Sequence, residues 1–498
     1  MLARHSVPLQ VVRSFNYSTS RRNAHSAIRR FAQNLEKTQP AIHLQAKDVT
    51  IHSKPQDFKN VLLDMIRRAR RRIFFSSLYI GESEQYLIDA LGESLLSNPS
   101  LRLSMVLDYN RSTRPGPKST ASLLLPLIQQ YSDRVDISLF RSPKLKGIMA
   151  KAVPRRFDEG WGTWHAKIYG VDDDVLISGA NLNESYFTDR QDRYLHFKSA
   201  GLSEYCFNFL STVTPFCYRL KTNSGPDGYS LHWPDPNVHP QRIESKLGKS
   251  FREFQDSNRQ AHPPSCSGSD VTIYPIIQGR QFGIMEEENC IDMLFRSFDG
   301  AQNNEPPLVD LTSGYFGLSK SYQELVRTSR ADCRLLCASP KANGFYGSRG
   351  ISGRIPEGYT FLEQRFWKGV VRSGRDWKSE ESGSGHGVQL HEWSRPGWTY
   401  HAKGIWVSPH QGEPPILTLF GSTNLNSRSA NLDTELAFVM VLPESNSGDA
   451  SGDDVMLLRR KLADEIAGLR QFAVPWEGAQ RRVRAGTKVL VNLVGGML

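Results

Sequence analysis

Two short stretches of the sequence carry the same pair of basic side chains at the same spacing. Each reads His-x-Lys among alternating apolar residues: His165 with Lys167 in the first, and His401 with Lys403 in the second. On a β-strand, residues i and i+2 face the same side, so each pair is predicted to point into one space. An imidazole can attack phosphorus while a neighbouring lysine holds the charged oxygens. A single pair of this kind is commonly just the surface of a strand, so it is the repetition that favours phosphoryl chemistry.

The residues that follow the two pairs repeat as well. A segment rich in Gly, Ser and Asn comes after each pair and contains Asn181 in the first copy and Asn424 in the second. An acidic residue stands eleven positions beyond each asparagine, Asp192 in the first copy and Glu435 in the second. Each half of the chain therefore supplies a histidine, a lysine, an asparagine and an acid.

The spacing upstream of the motifs is also the same in both halves. Tyr79 lies 86 residues before His165, and Tyr315 lies 86 residues before His401. Equal spacing over this length indicates a duplicated domain. The predicted parts of the chain are a leader, a first domain, a linker, a second domain and a tail: 1–35, 45–222, 223–270, 271–480 and 481–498.

The composition places limits on compartment and partners. The chain has 498 residues and a net charge of +11, of which residues 1–35 supply six arginines, with five serines and no acid. That is the composition of a mitochondrial transit peptide, with a disordered basic tail as the alternative, and we exclude it from the fold. The remaining positive charge suits an anionic membrane or phosphorylated substrates. Six cysteines are spread without zinc spacing, so the sequence predicts neither a metal nor a cofactor.

From about residue 45 the pattern alternates between helix and strand, which is typical of layered α/β domains. The motifs themselves are predicted to lie on strands, at 165–169 and 401–407. The stretch 223–270 is rich in Pro, Ser, Gly, Asn and His and has little periodicity, so we expect a connection there. No apolar run approaches the ~20 residues that a membrane-spanning helix needs, and the short apolar tail Val489–Leu498 is expected to pack against the protein, with contact to a membrane surface as the alternative.

The pattern H-x-K-x4-D at His165, Lys167 and Asp172, with the Gly/Ser–Asn segment and a second His-x-Lys pair, resembles the signature of the phospholipase D superfamily. The stretches YHAKGIW and GSTNLNSRSANLDTE, together with the leader, are similar to the eukaryotic phosphatidylglycerophosphate synthases. The resemblance implies an α/β fold of two duplicated α/β/α domains, related by a pseudo-twofold axis, with the active site at their interface. It also implies CDP-diacylglycerol and glycerol 3-phosphate as substrates.

One position departs from the family pattern. Ser408 stands where the second copy should carry the counterpart of Asp172, and the loop 408–415 makes this copy longer. We interpret Asp172 as mainly structural, because it sits in an acidic turn and because the resemblance assigns the orientation of each histidine to the later acid. The second half is therefore expected to be functional despite Ser408.

The resemblance also implies roles for the shared residues. His165 would attack the phosphatidyl phosphorus and form a phosphohistidine, although the near-symmetry leaves the two histidines open to exchange. His401 would assist the departure of CMP and then take the proton of the acceptor hydroxyl. Asp192 and Glu435 would hold the far nitrogen of each imidazole. The groups expected to hold the non-bridging oxygens are Lys167, Lys403, Asn181 and Asn424.

Four further residues are weaker candidates for binding substrate. Arg111 and Arg114 follow the end of a predicted strand, where α/β sites usually lie, and a solvated loop is the alternative for them. Ser422 belongs to the second Gly/Ser–Asn segment. Arg428 is a candidate phosphate ligand, but its counterpart in the first half is Ser185, so the internal symmetry does not support it.

The motifs alone leave the acceptor open. A phospholipase D-type hydrolase, a nuclease, or a cardiolipin or phosphatidylserine synthase would use the same phosphorus chemistry, and Ser408 motivates a non-enzymatic membrane adaptor. We see no stripe of basic and aromatic residues of the kind that holds nucleic acid, so no nucleic-acid partner is expected. The expected location is the mitochondrion, with peripheral contact to the anionic inner membrane on the matrix side.

Overall fold

The computed structural model describes residues 25–115, 118–154, 157–261, 271–299, 306–379, 385–443 and 450–497. The chain forms two large sheets, each covered by helices, as the repeated sequence predicts. None of the helices within these ranges is both long enough and apolar enough to cross a bilayer.

The first sheet has nine strands in the described part of the chain. Its three central strands, Arg72–Ser77, Arg102–Asp108 and Val135–Phe140, run parallel, and their carboxyl ends meet at one edge. From one side of the sheet to the other, the strands are Tyr229–His232, Tyr218–Thr222, Val135–Phe140, Arg102–Asp108, Arg72–Ser77, Ile168–Val171, Asp174–Ser178, Tyr194–Lys198 and Val49–His52.

The second sheet repeats this order with the same parallel centre. It gains a strand from the start of the described chain, Ile42–Leu44, which pairs with Val271–Gly279. Ile284–Met285 pairs with the same strand off the main path. Read in the same direction as in the first sheet, the strands are Ala473–Pro475, Val388–Trp393, Asp332–Ala338, Leu308–Ser313, Gly404–Ser408, Leu417–Gly421, Glu435–Val441, Val271–Gly279 and Ile42–Leu44.

The helices pack on these sheets through apolar stripes. In Pro55–Arg68 a proline begins the helix, and Phe58, Leu62 and Met65 recur at helical spacing and are buried. The remaining helices of the first half are Gln85–Ser97, Tyr109–Ser112, Thr120–Gln130, Gly147–Ala152, Glu184–Thr188, Ala200–Val213 and Glu244–Ala261. Those of the second half are Glu286–Ser297, Lys320–Thr328, Ile355–Arg372, Ser427–Asn431, Ala450–Arg470 and Ala485–Val494.

Two stretches that the composition sets outside the domains belong to the fold. The expected linker contains the strand Tyr229–His232 and the 18-residue helix Glu244–Ala261, whose Leu247 and Phe251 are buried. These two residues lie four apart and form one apolar stripe, a signal that the surrounding Pro and Ser residues obscure. In the expected leader, residues 25–35 form a helix whose Phe31 and Leu35 are buried in the core of the second half. The rest of that leader, 1–24, lies outside the described residues.

A single apolar core joins the two halves. One cluster of buried side chains includes Phe74 and Phe140 from the first sheet and Phe420 and Phe438 from the second. The rings of Phe197 and Phe420 stack across the boundary with centroids 5.6 Å apart. The two halves are therefore fixed relative to one another, which allows their motifs to build a common site.

Candidate active site

Both His-x-Lys pairs lie just ahead of a strand and not on it. The strand after the first pair is Ile168–Val171, and the strand after the second is Gly404–Ser408. The prediction that the motifs are strand residues is therefore wrong. The motif segments are extended, but their backbones bond across the domain boundary and not along their own sheets.

The boundary is built by the same pairing on both sides. In one place Trp164 forms a parallel bridge with Thr434, and the amide of His165 donates to the Thr434 carbonyl at 2.9 Å. In the other, Thr399–Tyr400 runs parallel to Arg190–Gln191, and the amide of His401 donates to the Gln191 carbonyl at 2.8 Å. Each motif histidine is thus set beside the acid of the opposite half.

The two histidine–acid contacts are accordingly crossed. His165 Nδ1 lies 2.9 Å from Glu435 Oε2, and His401 Nδ1 lies 2.6 Å from Asp192 Oδ2. All four side chains are buried. A carboxylate at Nδ1 holds the ring in place and leaves Nε2 for chemistry. Neither half alone contains an oriented histidine.

The two lysines are buried beside the histidines. Lys167 Nζ donates to the carbonyl of His165 at 2.7 Å. Lys403 Nζ lies 2.6 Å from His401 Nδ1 and 3.5 Å from Asp192 Oδ2. Burial lowers the pKa of Lys167 to about 7 and that of Lys403 to about 8. An ammonium that is poorly solvated in this way is ready to be stabilised by an anionic substrate.

The two acids differ in charge state. Burial alone would raise the pKa of Glu435, but the neighbouring His165 and Lys167 lower it to about 2. Burial raises the pKa of Asp192, although Lys403 and the amide of Arg193 act against that rise. Glu435 is thus the more firmly ionised of the pair.

The histidines are held in the neutral form. Burial lowers the pKa of His165, and Lys167 adds to that effect. Burial also lowers the pKa of His401 well below its ordinary value, with further contributions from Lys403, Lys167 and His165. The charge of one motif thus acts on the other, which indicates that both belong to a single electrostatic site. A neutral imidazole is the form that acts as a nucleophile or a base.

The two asparagines occupy different settings. Asn181 Oδ1 accepts from the amide of Leu78 at 3.3 Å, and its Nδ2 donates to the hydroxyl of Tyr186 at 3.2 Å. Asn424 Oδ1 is buried with no hydrogen-bond partner among the described residues. A buried amide oxygen without a partner costs free energy, so it is available to a substrate hydroxyl.

The side chain of Ser422 faces Glu435 and not open space. Its hydroxyl donates to Glu435 Oε2, and the hydroxyl of Ser429 donates to Glu435 Oε1 at 2.8 Å. The hydroxyl of Ser422 is thus used in holding the acid that contacts His165, and a role in binding substrate stays a prediction for this residue.

Asp172 belongs to the motif signature, but its carboxylate is engaged with backbone amides and not with the histidines. Its carboxylate accepts from the backbone amides of Arg70 and Arg71 at 2.7 Å and of Arg72 at 3.0 Å. Its own φ of 52° is in the left-handed region, which Asp tolerates better than most residues. The residue fixes a turn, as its place in the sequence suggests.

The three candidate arginines are bound to acids. Arg111 and Arg114 both form ion pairs with Glu159, and Arg111 also lies over the ring of Tyr79. Arg428 pairs with Asp433 at 3.0 Å. Asp433 in turn accepts from the amide of Thr163, two residues before His165, at 2.8 Å. The arginines lie near the rim of the site, and a role in binding substrate stays a prediction for them.

Sequence reasoning missed an aromatic and cationic wall around His401. The rings of Tyr186 and Tyr315 pack edge-on against the imidazole with centroids 5.1 and 5.3 Å away. The Tyr186 hydroxyl lies 3.3 Å from His401 Nε2. The guanidinium of Arg190 lies over the Tyr186 ring. Tyr315 could be found from the repeated spacing, because it lies as far before His401 as Tyr79 lies before His165. Tyr186 and Arg190 have no sequence signal, because they reach His401 only across the domain boundary.

The fold and the site define a class of protein, the two-domain phospholipase D-like enzymes. A solved structure of phosphatidylserine synthase from Haemophilus influenzae is similar to the chain with a TM-score of 0.65 and 19% identity, covering 94% of this chain and 98% of that one. No family model matches the sequence.

Curated relatives give a finer assignment. The CDP-diacylglycerol–glycerol-3-phosphate 3-phosphatidyltransferase of Saccharomyces cerevisiae is 33% identical, covering 94% of this chain and 90% of that protein. The mitochondrial enzyme of the same name from Homo sapiens is also 33% identical, covering 81% of this chain and 75% of that protein. The chain belongs to the CDP-diacylglycerol–glycerol-3-phosphate 3-phosphatidyltransferase family.

Proposed function

We propose that this protein transfers a phosphatidyl group from CDP-diacylglycerol to sn-glycerol 3-phosphate, giving phosphatidylglycerophosphate and CMP through a phosphohistidine. The substrates follow from the family. The observation that carries the mechanism is the crossed pairing, in which Glu435 orients His165 and Asp192 orients His401. Two oriented, neutral imidazoles in one buried site are the parts that a two-step transfer requires.

In the first step, Nε2 of His165 attacks the phosphorus that bears the diacylglycerol. A nitrogen–phosphorus bond forms, the bond from phosphorus to the CMP oxygen breaks, and CMP leaves with that electron pair. His165 is the better nucleophile of the two because its Nε2 has no hydrogen-bond partner in the described chain, whereas Nε2 of His401 faces the hydroxyl of Tyr186. The negative charge of bound pyrophosphate raises the proton affinity of His401, which then protonates the departing CMP.

In the second step, a hydroxyl of glycerol 3-phosphate attacks the phosphohistidine. Neutral His401 takes the hydroxyl proton, the new oxygen–phosphorus bond forms, and the bond to His165 breaks. His165 returns neutral, and His401 carries the proton for the next CMP. Lys167 and Lys403 hold the non-bridging oxygens throughout, supported by Asn181 and Asn424.

The cellular setting is proposed from the relatives. The Homo sapiens and Gallus gallus relatives are named as mitochondrial enzymes, and residues 1–24, ahead of the packed helix 25–35, have the Arg-rich, acid-free composition of a transit peptide. We place the protein in the mitochondrion, in peripheral contact with the matrix side of the inner membrane, where a diacylglycerol-bearing substrate resides.

Release of CMP tests the reaction. With CDP-diacylglycerol and glycerol 3-phosphate together, we expect release that depends on the acceptor, and phosphatidylglycerophosphate as the product. Equal release in water alone would identify a hydrolase. Labelled CDP-diacylglycerol without acceptor should leave label on the protein, and His165→Gln should abolish that label while His401→Gln keeps it. Label that survives in His165→Gln would move the nucleophile to His401.

A further inference from the structure

Exposed apolar side chains are concentrated in three segments of the described chain. These rim segments are 141–154, 340–354 and 481–497, which together make up less than a tenth of the sequence. Among the described residues, they hold half of the large apolar side chains that are exposed to solvent. The six are Ile148, Met149, Tyr346, Ile351, Val489 and Leu493.

The same rim segments carry a dense positive charge. The first contains four Lys or Arg, the second three and the third four, and none of them contains an Asp or Glu. Three of these eleven cations, Lys146, Arg481 and Arg484, form ion pairs with glutamates outside the segments, and the other eight give the surface its positive charge. Apolar side chains interspersed with cations are the composition of a surface that binds anionic lipid.

Two of the rim segments contact residues that lie close to the histidines. The first is tied to the approach to His165, because Ser142 Oγ donates to the carbonyl of Trp161 at 3.0 Å. In the second, Gly344 lies against Arg190 and the hydroxyl of Tyr315, both of which belong to the wall around His401.

The third rim segment bridges the other two. Its Met497 lies against Gly160, just after the first rim segment, and its Gly486 lies beside Arg354 of the second. In the helix Ala485–Val494, Thr487 and Val491 face the protein. Val489 and Leu493 lie four residues apart on the side that faces solvent, and Leu493 is 78% exposed. The apolar side of this helix is thus left open next to the site.

We propose that the three rim segments form one membrane-docking surface that seats the mouth of the active site on an anionic phospholipid bilayer. The apolar side chains enter the interfacial region, and the lysines and arginines contact anionic head groups. This inference rests on the proposed function, since a diacylglycerol-bearing substrate would pass from the bilayer to His165 without crossing water. An anionic bilayer is the one occupant that matches both the charge and the exposed apolar side chains.

The test is sedimentation of the full chain, without any substrate, with vesicles of phosphatidylcholine alone or mixed with phosphatidylglycerol. We expect binding to the anionic vesicles to be at least about tenfold stronger than to the neutral ones. The double variant Ile148→Asp/Leu493→Asp should lower that binding about tenfold or more. Lys144→Glu/Lys488→Glu should do the same without removing apolar surface. The matched control is Leu96→Asp/Leu457→Asp, which alters exposed apolar side chains outside the rim and should bind as the parent does.

The outcomes separate the docking surface from the transferase. Because vesicle binding is measured without substrate, it tests the docking surface even if the protein releases no CMP. Rim variants that lose vesicle binding but still turn over a short-chain, soluble CDP-diacylglycerol support the proposal. Rim variants that bind anionic vesicles as tightly as the parent overturn it, and so does equal binding to neutral and anionic vesicles. A change in self-association with vesicle binding intact would identify a protein interface instead.

Discussion

The turn after the first motif and the turn after the second are stabilised by different side chains. In the first half, Asp172 accepts three backbone amide bonds from 70–72 and closes a tight turn. In the second half, Ser408 leads into a longer loop, and buried Arg459 donates to the carbonyls of Pro414 and Pro415 at 2.9 and 3.1 Å. Because the second half holds its loop without an acid at the matching position, we expect Asp172 to stabilise the backbone and not to react.

The acids that do face the chemistry also differ between the halves. Glu435 is held by the hydroxyls of Ser422 and Ser429, whereas Asp192 lies beside Lys403. At the place that matches Ser422, the first half has Gly179. A Cβ there would come within 2.4 Å of Lys403 Nζ and 2.7 Å of Asp192 Oδ1. The duplicated site is therefore symmetric in the groups proposed to react and asymmetric in their support, which agrees with the different tasks proposed for the two histidines.

The largest effect should come from the crossed acids. Replacing either carboxylate with its amide, Glu435→Gln or Asp192→Asn, removes the fixed tautomer and should slow transfer by roughly 10²–10⁴-fold. Rapid-quench measurement should separate the two. Glu435→Gln should block formation of the phosphohistidine, and Asp192→Asn should let it accumulate. Identical defects in both variants would contradict the division of roles.

The glycine in the first half offers the next test. Gly179→Ser copies the second half, but the new side chain displaces Lys403, and a displacement of about 1 Å can cost on the order of 10²-fold in rate. Steady-state rates of CMP release measure this loss of activity. Gly201→Ser is the matched control, because that helical glycine has only ordinary contacts nearby and its substitution should leave the rate unchanged.

The buried lysines predict an alkaline loss of activity. Burial lowers the pKa of Lys167 to about 7 and of Lys403 to about 8, so their ammonium groups lose protons as the pH rises through that range. The free-enzyme parameter kcat/KM should then fall about tenfold between pH 7 and pH 8, where Lys167 loses its proton, and about a hundredfold per pH unit above pH 8, where both lysines do. Bound pyrophosphate favours the ammonium form, so kcat should fall only at higher pH. A kcat/KM that stays constant up to pH 9 would contradict the lowered pKa values of the two lysines.

Removing the serine that supports Glu435 should have a smaller effect. Ser422→Gly makes the second half resemble the first, but Ser429 still donates to the acid. We expect a fall in transfer of roughly three- to tenfold, because one hydrogen bond to a charged group is lost. If the role is positioning, the acidic limb of the pH profile should move upward as the pKa of Glu435 rises. A drop in rate with no change in that limb would argue for direct contact with substrate.

The smallest effect on rate should come from the residues that hold the turns. Asp172→Ala removes the acceptor of three amides and should lower the free energy of unfolding by roughly 2–4 kcal/mol. Asp172→Asn should cost less, since Asn keeps an acceptor and tolerates the positive φ. Per folded molecule, kcat should be unchanged in both. Denaturant unfolding and active-site-normalised rates measure the two quantities, and a selective loss of kcat would argue that Asp172 takes part in catalysis.

Much of the site could be predicted because the duplication repeats each reacting residue type at fixed spacing. His165, Asn181 and Asp192 each have a counterpart that one sequence is enough to find. Arg190 and Tyr186 could not be predicted, since they have no repeated partner and act on the other half. The helix Glu244–Ala261 was hidden because its apolar stripe is narrow and its neighbours are typical of loops.

The sequence by itself determined the candidate groups of the site, two histidines, two lysines, two asparagines and two acids, because the duplication repeats these residue types at matching positions. Only the tertiary structure decided how they are paired. Parallel bridges across the boundary set Trp164 beside Thr434 and Tyr400 beside Gln191, so each acid meets the histidine of the opposite half. Spacing along the chain contains no information about this crossed pairing, because the pairing depends on how the apolar faces of the two sheets pack together.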